Sequence, residues 1–143
     1  MFYGNKELTI DDKSRLTLSS IYRDGFPGGI CYACYGMDCC LELYPEKTYE
    51  IKADQIMKLN DFDDTARRVK RTFLSNTFMI NIDSHSRVLL PKTLLDKTKL
   101  GKNVICVGMY DHLELWDKDT YLKMEKENQD SYASDAKKII GGN

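Results

Sequence analysis

Two short polar segments combine residue types that could either recognise a nucleic acid or stabilise a turn. They are IDDKSRL at residues 10–16 and IDSHSRV at residues 82–88, and in both an Asp precedes an Arg by four positions. In one interpretation the Asp side chain caps the turn and forms a salt bridge with the Arg, which contributes little at a surface. In the other, the Asp fixes the loop and the Arg faces outward, where its guanidinium can bind phosphate groups or a guanine edge.

The neighbouring residues fit both interpretations. Lys13 and His85 occupy the same place in the two segments and add hydrogen-bond donors beside Arg15 and Arg87. Taken alone, the local chemistry slightly favours the structural role, because a single Asp–Arg turn is common. A second basic cluster is better explained as a solvated helix face or as ion pairs than as a DNA contact, and it consists of Arg67, Arg68, Lys70 and Arg71.

The cysteines do not form a pattern typical of a metal or redox site. Cys31 and Cys34 lie in a predicted strand, where residues three apart point to opposite faces. A redox pair would also be expected at the start of a helix, which this segment does not resemble. We therefore predict core and surface thiols, with zinc as a less favoured alternative, and we assign no metal and no cofactor.

The remaining reactive residues do not indicate an enzyme. The sequence contains no phosphate-binding loop and no dinucleotide fingerprint. His85 and His112 are expected to be solvent-exposed in separate turns, and the pair Asp11 and Asp12 is not repeated, because Ser84 replaces the second Asp. We therefore predict no catalytic residue and no small-molecule substrate.

The two polar segments belong to a longer internal repeat. When the sequence is aligned with itself at an offset of 72 residues, fifteen of the 40 positions from 10 to 49 are identical, without a gap. An ungapped register of this length indicates duplication, so the two turns are expected to occupy symmetric positions.

Each copy of the repeat is predicted to contain several short strands and one short helical piece. A strand leads into each Asp and a return strand follows each Arg, while segments 30–44 and 103–116 each predict two strands around a polar turn. Such a unit buries too little surface to fold alone. We therefore predict an α+β, β-rich fold in which both copies share one β core.

Helical segments are predicted after each copy. Residues from about 45 to 73 predict two helices separated at Asn60–Asp64, and the residues after Trp116 predict one C-terminal helix. The final residues, 139–143, are expected to be flexible. The expected organisation is repeat 1 at 5–47, a helical connector at 48–75, repeat 2 at 76–119, and a C-terminal helix and tail at 120–143.

Composition indicates a globular protein. Of 143 residues, 42% are hydrophobic, which is enough for a core, and 21 basic and 22 acidic residues give a formal net charge of −1. Bulk charge therefore does not indicate a nucleic-acid or membrane partner, although a local patch can still bind one. The sequence lacks an apolar run typical of a membrane span or a signal peptide, so we expect a cytoplasmic location with reduced thiols.

Three segments together resemble the MraZ family of bacterial transcription regulators. They are MFYGNKELTIDDKSRLTLSSIYR, RRVKRTFLSNTFMINIDSHSRVLLPKTLL and GMYDHLELWDKDTY. The features that carry the resemblance are the duplicated Asp-x-x-x-Arg turn and the Gly-x-x-x-x-Leu-Glu-Leu-Trp ending, and the resemblance extends to about residue 125.

The resemblance implies a fold, a function and an assembly. The implied fold has two tandem AbrB-like, swapped-hairpin domains interleaved into one β barrel with flanking helices. The implied protein is a nucleoid-associated regulator, commonly a repressor, that binds direct repeats in the promoter of the division and cell-wall operon and assembles into a ring-like homo-oligomer. By the motif match, Asp11 and Asp83 shape the turns, and the DNA contacts fall on Arg15, Arg87, Lys13, Ser14, His85 and Ser86.

The sequence departs from the family pattern at the turns. Ser14 and Ser86 stand where the family usually has Gly. If that Gly has a positive φ, each Ser costs strain or the turn has a different geometry. Ser19 also stands where the family usually has a Pro, which the second copy keeps as Pro91.

The second hypothesis is a protein-interaction module. Other proteins of AbrB-like fold pair with a partner protein, as antitoxins do, and here segment 117–140 would be the binding element. Its apolar residues Tyr121, Met124 and Tyr132 form no strong stripe, which argues against this function.

Overall fold

Eight β-strands and six α-helices follow one another along residues 1–141, the part of the chain that the computed structural model describes. The first repeat contains β1 (Asn5–Thr9), β2 (Arg15–Thr17), α1 (Ser20–Asp24), β3 (Ile30–Tyr35) and β4 (Leu41–Pro45). Helices α2 (Glu46–Met57) and α3 (Asp64–Ser75) connect it to β5 (Phe78–Asn81), β6 (Arg87–Leu89), α4 (Lys92–Thr98), β7 (Asn103–Gly108) and β8 (Leu113–Asp117). The chain ends with α5 (Lys118–Asn128) and α6 (Tyr132–Ile140).

The structure confirms the two helices between the repeats. Helix α3 begins after Asp63, whose Oδ1 accepts hydrogen bonds from the backbone N–H of Thr65 and Ala66 at 2.8 and 3.4 Å. This side-chain cap satisfies backbone donors that the first turn of a helix leaves free. The α+β class is also as predicted, and the structure shows that the paired strands are antiparallel.

The prediction of one C-terminal helix is wrong, because two helices, α5 and α6, are separated by a turn at residues 129–131. Ser131 donates from its backbone N–H and from its Oγ to the carbonyl of Asn128, at 3.1 and 2.9 Å. The run Asn-Gln-Asp-Ser supplies side chains that favour turns over helix interiors. Of the tail expected to be flexible, Ile139 and Ile140 lie in α6, whereas residues 142–143 lie outside the described residues.

The strands of the two repeats are interleaved. Six strands form an antiparallel sheet in the order β1-β7-β8-β4-β3-β5, and β2 and β6 form a separate two-stranded ribbon. The first strand of each repeat pairs with the third strand of the other, since β1 pairs with β7 and β5 pairs with β3. Neither repeat therefore completes its own sheet.

A pseudo-twofold axis relates the repeats. Adding 72 to a residue number converts β2 into β6 and β4 into β8, and these equivalent strands pair with each other. At the centre of the two pairings, Leu16 faces Val88 and Glu42 faces Glu114. Each of these residues faces its own repeat equivalent, so the axis passes through both pairs.

The sheet separates two hydrophobic clusters. Cys31 and Cys106 lie in the main core with Leu16 and Val88, whereas Cys34 lies on the other face of β3, in a second cluster with Phe73 of α3. The alternation of side chains along a strand therefore places Cys31 and Cys34 apart, as predicted. No helix in residues 1–141 is long and apolar enough to cross a membrane.

We predict that truncating Leu16 to Ala lowers the free energy of unfolding by about 2–5 kcal/mol, because this fully buried side chain fills the core under the ribbon. Leu89 is the matched control, since it lies in the paired strand with 58% of its surface exposed. Leu89→Ala is expected to change stability by less than about 0.5 kcal/mol. Urea denaturation measures both variants, and equal losses would contradict the assigned orientation of the ribbon.

Candidate nucleic-acid interface

The first turn is organised by the carboxylate of Asp11. Its Oδ1 accepts hydrogen bonds from the backbone N–H of Lys13 and Arg15, both at 2.9 Å, and its Oδ2 accepts one from Nε of Arg15 at 2.8 Å. The backbone closes the turn, since Ser14 N donates to the Asp11 carbonyl at 3.0 Å. One side chain therefore fixes both the loop and the arginine.

The second turn repeats this geometry. Oδ1 of Asp83 accepts from the backbone N–H of His85 and Arg87 at 2.8 and 2.9 Å, and Oδ2 accepts from Nε of Arg87 at 2.7 Å. Ser86 N donates to the Asp83 carbonyl at 3.0 Å. The sequence difference between Lys13 and His85 has no effect on the frame, because only their backbone N–H groups contribute to it.

Both turns contain a serine in the left-handed backbone region. The φ angles are 63° for Ser14 and 61° for Ser86. This conformation costs an L-residue roughly 1–2 kcal/mol, and glycine adopts it without that penalty. The turn geometry is therefore the one that a glycine would favour, and each serine bears strain.

The hydrogen bonds keep both aspartates ionised. The hydrogen bond from the Arg87 backbone N–H has the largest effect on the pKa of Asp83. Together with hydrogen bonds from the Arg87 side chain and the His85 backbone and with the charge of Arg87, it outweighs desolvation and lowers this pKa to about 2. The equivalent contacts of Arg15 and Lys13 lower the pKa of Asp11. A lowered pKa means that the carboxylate form of each turn persists well into the acid range.

The ribbon of β2 and β6 places both arginines on one face. Arg15 pairs with Leu89 and Thr17 pairs with Arg87, and directly paired residues share a face of an antiparallel ladder. Leu16 and Val88 point to the other face, into the core. Arg15 and Arg87 are therefore separated by two residue positions, about 7 Å along the strand.

The two sequence-level interpretations of the arginine both describe part of the geometry. Each arginine uses Nε for its Asp, and within residues 1–141 its two Nη groups have no hydrogen-bond partner. About 30% of each arginine side chain is exposed, and Lys13 and His85 are exposed beside them. The salt bridge thus orients the guanidinium and leaves its outer edge available.

Sequence reasoning missed Thr17 and Leu89, which are exposed on the same face of the ribbon. The alternation in Arg-Leu-Thr and Arg-Val-Leu was the available signal, because residues two apart on a strand share a face. The outer face of the ribbon, defined as Arg15, Thr17, Arg87 and Leu89 together with the two turns, is the candidate nucleic-acid interface.

Two residues of the basic cluster on α3 form ion pairs with neighbouring aspartates, one of the explanations that the sequence suggested. Arg67 forms an ion pair with Asp64 and donates from Nη1 to the carbonyl of Asp61 at 2.7 Å. Lys70 forms an ion pair with the side chain of Asp61, and Arg68 donates to Oγ1 of Thr65 at 3.1 Å. The two aspartates offset two of the four positive charges of the cluster.

The prediction of an exposed histidine is confirmed for His85 and wrong for His112. Only 14% of the His112 side chain is exposed, and its ring stacks on that of Tyr44, with centroids 4.6 Å apart. The reason is tertiary, because the pairing of β4 with β8 brings Tyr44 against the turn that contains His112.

Comparison with known proteins gives one consistent family. A family model described as "MraZ protein, putative antitoxin-like" matches residues 1–72 and again residues 73–141. A "Transcriptional regulator MraZ" of Mesoplasma florum is 31% identical over 142 residues, which are 99% of this chain and 97% of that protein. Proteins of the same name from Mycoplasmoides gallisepticum and Nitrosococcus oceani are 33% and 36% identical, over 92% and 82% of this chain and 92% and 81% of their own lengths.

We predict that Ser86→Gly raises the free energy of unfolding by about 0.5–1 kcal/mol, because relief of the left-handed strain exceeds the greater entropy of glycine in the unfolded chain. Ser14→Gly is expected to act in the same way. Ser84→Gly is the matched control, since Ser84 lies in the same turn without a positive φ. Urea denaturation should show no increase in the free energy of unfolding for the control. An equal increase for Ser84→Gly would contradict the assignment of backbone strain to Ser86.

Proposed function

The chain belongs to the MraZ family, and we propose on that premise that it is a transcription regulator that binds DNA sequence-specifically through its two Asp–Arg turns. The observation that carries the proposal is the placement of Arg15 and Arg87 on one exposed face, each oriented by its own Asp. This function requires no catalytic residue and no cofactor.

The ribbon suits the major groove of DNA. A two-stranded β-ribbon fits that groove, and the outer edge of an arginine can donate to both O6 and N7 of a guanine. A good contact of this kind discriminates against the wrong base by about 1–3 kcal/mol. Because the Asp holds Nε, little side-chain entropy remains to be lost on binding.

The neighbouring turn residues have supporting roles in the proposal. Lys13 and His85 are exposed next to the arginines and can reach phosphate groups, which position a protein on the duplex without reading its sequence. Ser14 and Ser86 add hydroxyl groups at the tips of the turns. Asp11 and Asp83 shape the turns and do not contact the DNA.

Assembly would compensate for the small binding face and the net charge of −1. We propose that the chain forms a ring-like homo-oligomer that places several ribbons against direct repeats in a promoter, so that weak contacts act together. The regulated promoter in this proposal is that of the division and cell-wall operon, with repression as the effect, and the location is the cytoplasm in association with the nucleoid.

The interleaved strands support a more detailed assignment of the fold. The exchange of first strands between repeats agrees with two AbrB-like swapped hairpins interleaved in a single barrel. We propose the repeat bounds 5–47 and 76–119, with the connector at 48–75 and the C-terminal segment at 120–143.

We predict that the double variant Arg15→Lys/Arg87→Lys loses sequence discrimination but keeps non-specific DNA binding. Lysine retains the charge and lacks the planar fork, so each change should weaken binding to promoter DNA by about 1–3 kcal/mol. Binding to unrelated DNA and its salt dependence should change little, because these report the number of phosphate contacts. Titrations with the chain's own upstream promoter and a scrambled duplex measure both quantities.

Arg71→Ala is the control for that experiment, because it removes an exposed arginine from α3, outside the ribbon. It should leave discrimination between the two duplexes unchanged. Footprinting of the wild-type chain should protect evenly spaced direct repeats. If the double variant still discriminated between the promoter and the scrambled duplex, Arg15 and Arg87 could not be the residues that recognise the DNA sequence.

One observation favours a second function, the antitoxin-like interaction module. Helix α6 has no buried residue and exposes Tyr132, Ile139 and Ile140, with Ala136 between them. The spacing of these four residues, at positions i, i+4, i+7 and i+8, places them on one helix face. This stripe differs from the expectation of a flexible tail at residues 139–143, because Ile139 and Ile140 lie in α6.

If α6 binds a partner protein, a stoichiometric partner should co-purify with the full chain and be lost when residues 132–143 are deleted. Promoter binding by the ribbon should survive that deletion, because α6 lies outside the two repeats. Purification of the full chain without a second protein would count against the interaction module and would leave the DNA-binding function unaffected.

A further inference from the structure

Two glutamates face each other where the pseudo-twofold axis crosses the large sheet. Glu42 of β4 lies directly opposite Glu114 of β8, and only 13% of the Glu42 side chain is exposed. Like charges directly opposite on paired strands are destabilising. Within residues 1–141, no lysine or arginine forms an ion pair with either carboxylate, although Lys52 lines the cavity beside Glu42.

Two further side chains that can bind a metal lie nearby, Cys40 next to both glutamates and His112 next to Glu42. A sulfur of Cys40 and one carboxylate oxygen each of Glu42 and Glu114 lie within 4.8 Å of one another. Nε2 of His112 is 3.6 Å from Oε2 of Glu42, and this buried nitrogen has no hydrogen-bond partner. One thiol and two carboxylates therefore converge at the axis, and the imidazole of His112 lies beside them, next to Glu42.

The repeat explains how the four side chains come together. Cys40 and His112 are equivalent positions at the offset of 72, as are Glu42 and Glu114. His112 of the second repeat lies beside Glu42 of the first, and Cys40 of the first repeat lies beside Glu114 of the second. The four residues are thus two pairs of equivalent positions in the repeat, and the second pair differs from the first only in having His in place of Cys.

Neighbouring groups orient these side chains as the outer contacts of metal ligands do. The hydroxyl of Tyr44 donates to Oε1 of Glu42 at 3.2 Å, and Nε1 of Trp116 donates to Oε1 of Glu114 at 3.0 Å. Nδ1 of His112 is 2.7 Å from Oδ1 of Asp111, an arrangement that leaves the Nε2 lone pair free. Metal-binding histidines typically donate their other ring N–H to a carboxylate in this way.

We propose that Cys40, Glu42, Glu114 and His112 form a site for one zinc ion at the pseudo-twofold axis, beyond the DNA-binding function. Zinc accepts thiolate, imidazole and carboxylate ligands in tetrahedral geometry, whereas magnesium and calcium prefer oxygen ligands alone. Bond lengths of about 2.0–2.3 Å place tetrahedral ligand atoms roughly 3.3–3.8 Å apart. Shifts of the order of 1 Å therefore bring Cys40, Glu42 and Glu114 to these distances, and His112 joins them by moving inward from its place beside Glu42.

A cavity borders the site. Glu42 and Gly36 line a cavity of about 420 Å³ between the β3–β4 turn and helices α2 and α3. A Cβ at position 36 would lie 2.8 Å from Sγ of Cys40 and 3.1 Å from Cδ of Glu42, so only glycine leaves this approach open without a shift of its neighbours. An ion entering from the cavity reaches Glu42 first.

A protonated His112 is the competing explanation for the cluster. Burial lowers the pKa of His112, but the hydrogen bond with Asp111 and the nearby charges of Glu42 and Asp111 outweigh that effect and raise it. An imidazolium would offset the charge of Glu42 and would leave Glu114 beside Cys40, whose thiol has a pKa raised by burial and by the nearby carboxylates. Zinc would instead neutralise the charge of both carboxylates and bind the Cys40 thiolate, and its binding would release the protons of the imidazolium and of the thiol.

Bound zinc would act as a clamp between the repeats. Cys40 and Glu42 belong to the first repeat, and His112 and Glu114 to the second. With four protein ligands the site is closed, as in structural zinc sites. Zinc should therefore raise the melting temperature of the full chain, because it binds the folded state.

The test uses the full chain, kept reduced with a phosphine. Equilibrium dialysis against Zn²⁺ followed by metal analysis should give one zinc per chain, and Co²⁺ should produce a thiolate-to-cobalt charge-transfer band. Cys40→Ser should abolish the band and weaken zinc binding at least about tenfold, since even outer contacts change affinity by 10–100-fold. Cys39→Ser is the matched control, because Cys39 is the adjacent, exposed cysteine and should keep both properties.

His112→Asn and Glu114→Gln should each weaken zinc binding at least about tenfold. These two variants carry the test if Cys40→Ser does not fold, as judged by circular dichroism. A wild-type chain that takes up much less than one zinc would overturn the proposal. So would equal losses in Cys39→Ser and Cys40→Ser, or unchanged zinc binding in His112→Asn and Glu114→Gln.

Discussion

The antiparallel pairing of β2 with β6 is the contact on which the candidate interface depends. Each strand has only three residues, and it is held because Leu16 and Val88 are buried in the main core. The ladder extends into the turns, since Leu18 N donates to the Ser86 carbonyl and Leu90 N donates to the Ser14 carbonyl, at 2.9 and 2.8 Å. Each turn is therefore anchored by the return strand of the other repeat, and one cannot be positioned without its partner.

Within each turn, a single aspartate side chain holds both the loop and the arginine in place. Its carboxylate accepts two backbone N–H groups and the arginine Nε, so the same group satisfies the loop and fixes the direction of the guanidinium. Such exposed ion pairs contribute little to stability by themselves. Their effect is geometric, because they present the free edge of the arginine in a set orientation, and the strained serine is part of the same arrangement.

The two places where the pseudo-twofold axis crosses paired strands have diverged differently. At the ribbon, the Asp, Ser and Arg of both repeats are identical, and so are their hydrogen bonds. At the large sheet, the glutamates are identical, but their neighbours are Cys40 in one repeat and His112 in the other. Duplication thus gives two like groups on the outer surface and a chemically mixed set of groups around the axis.

The sequence by itself determined the repeat, the two turns and the faces of the strands, because these depend on local spacing. An offset of 72 identified equivalent residues, and alternation along β3 separated Cys31 from Cys34 correctly. Only the tertiary structure decided which strands pair, since partners such as β1 and β7 are about one hundred residues apart and carry no local signal. That pairing buried His112, placed Glu42 against Glu114, and put both arginines on one face of the ribbon. The physical reason is that local backbone conformation depends on residues close in the sequence. The burial of a side chain depends instead on the distant segments that the fold packs against it.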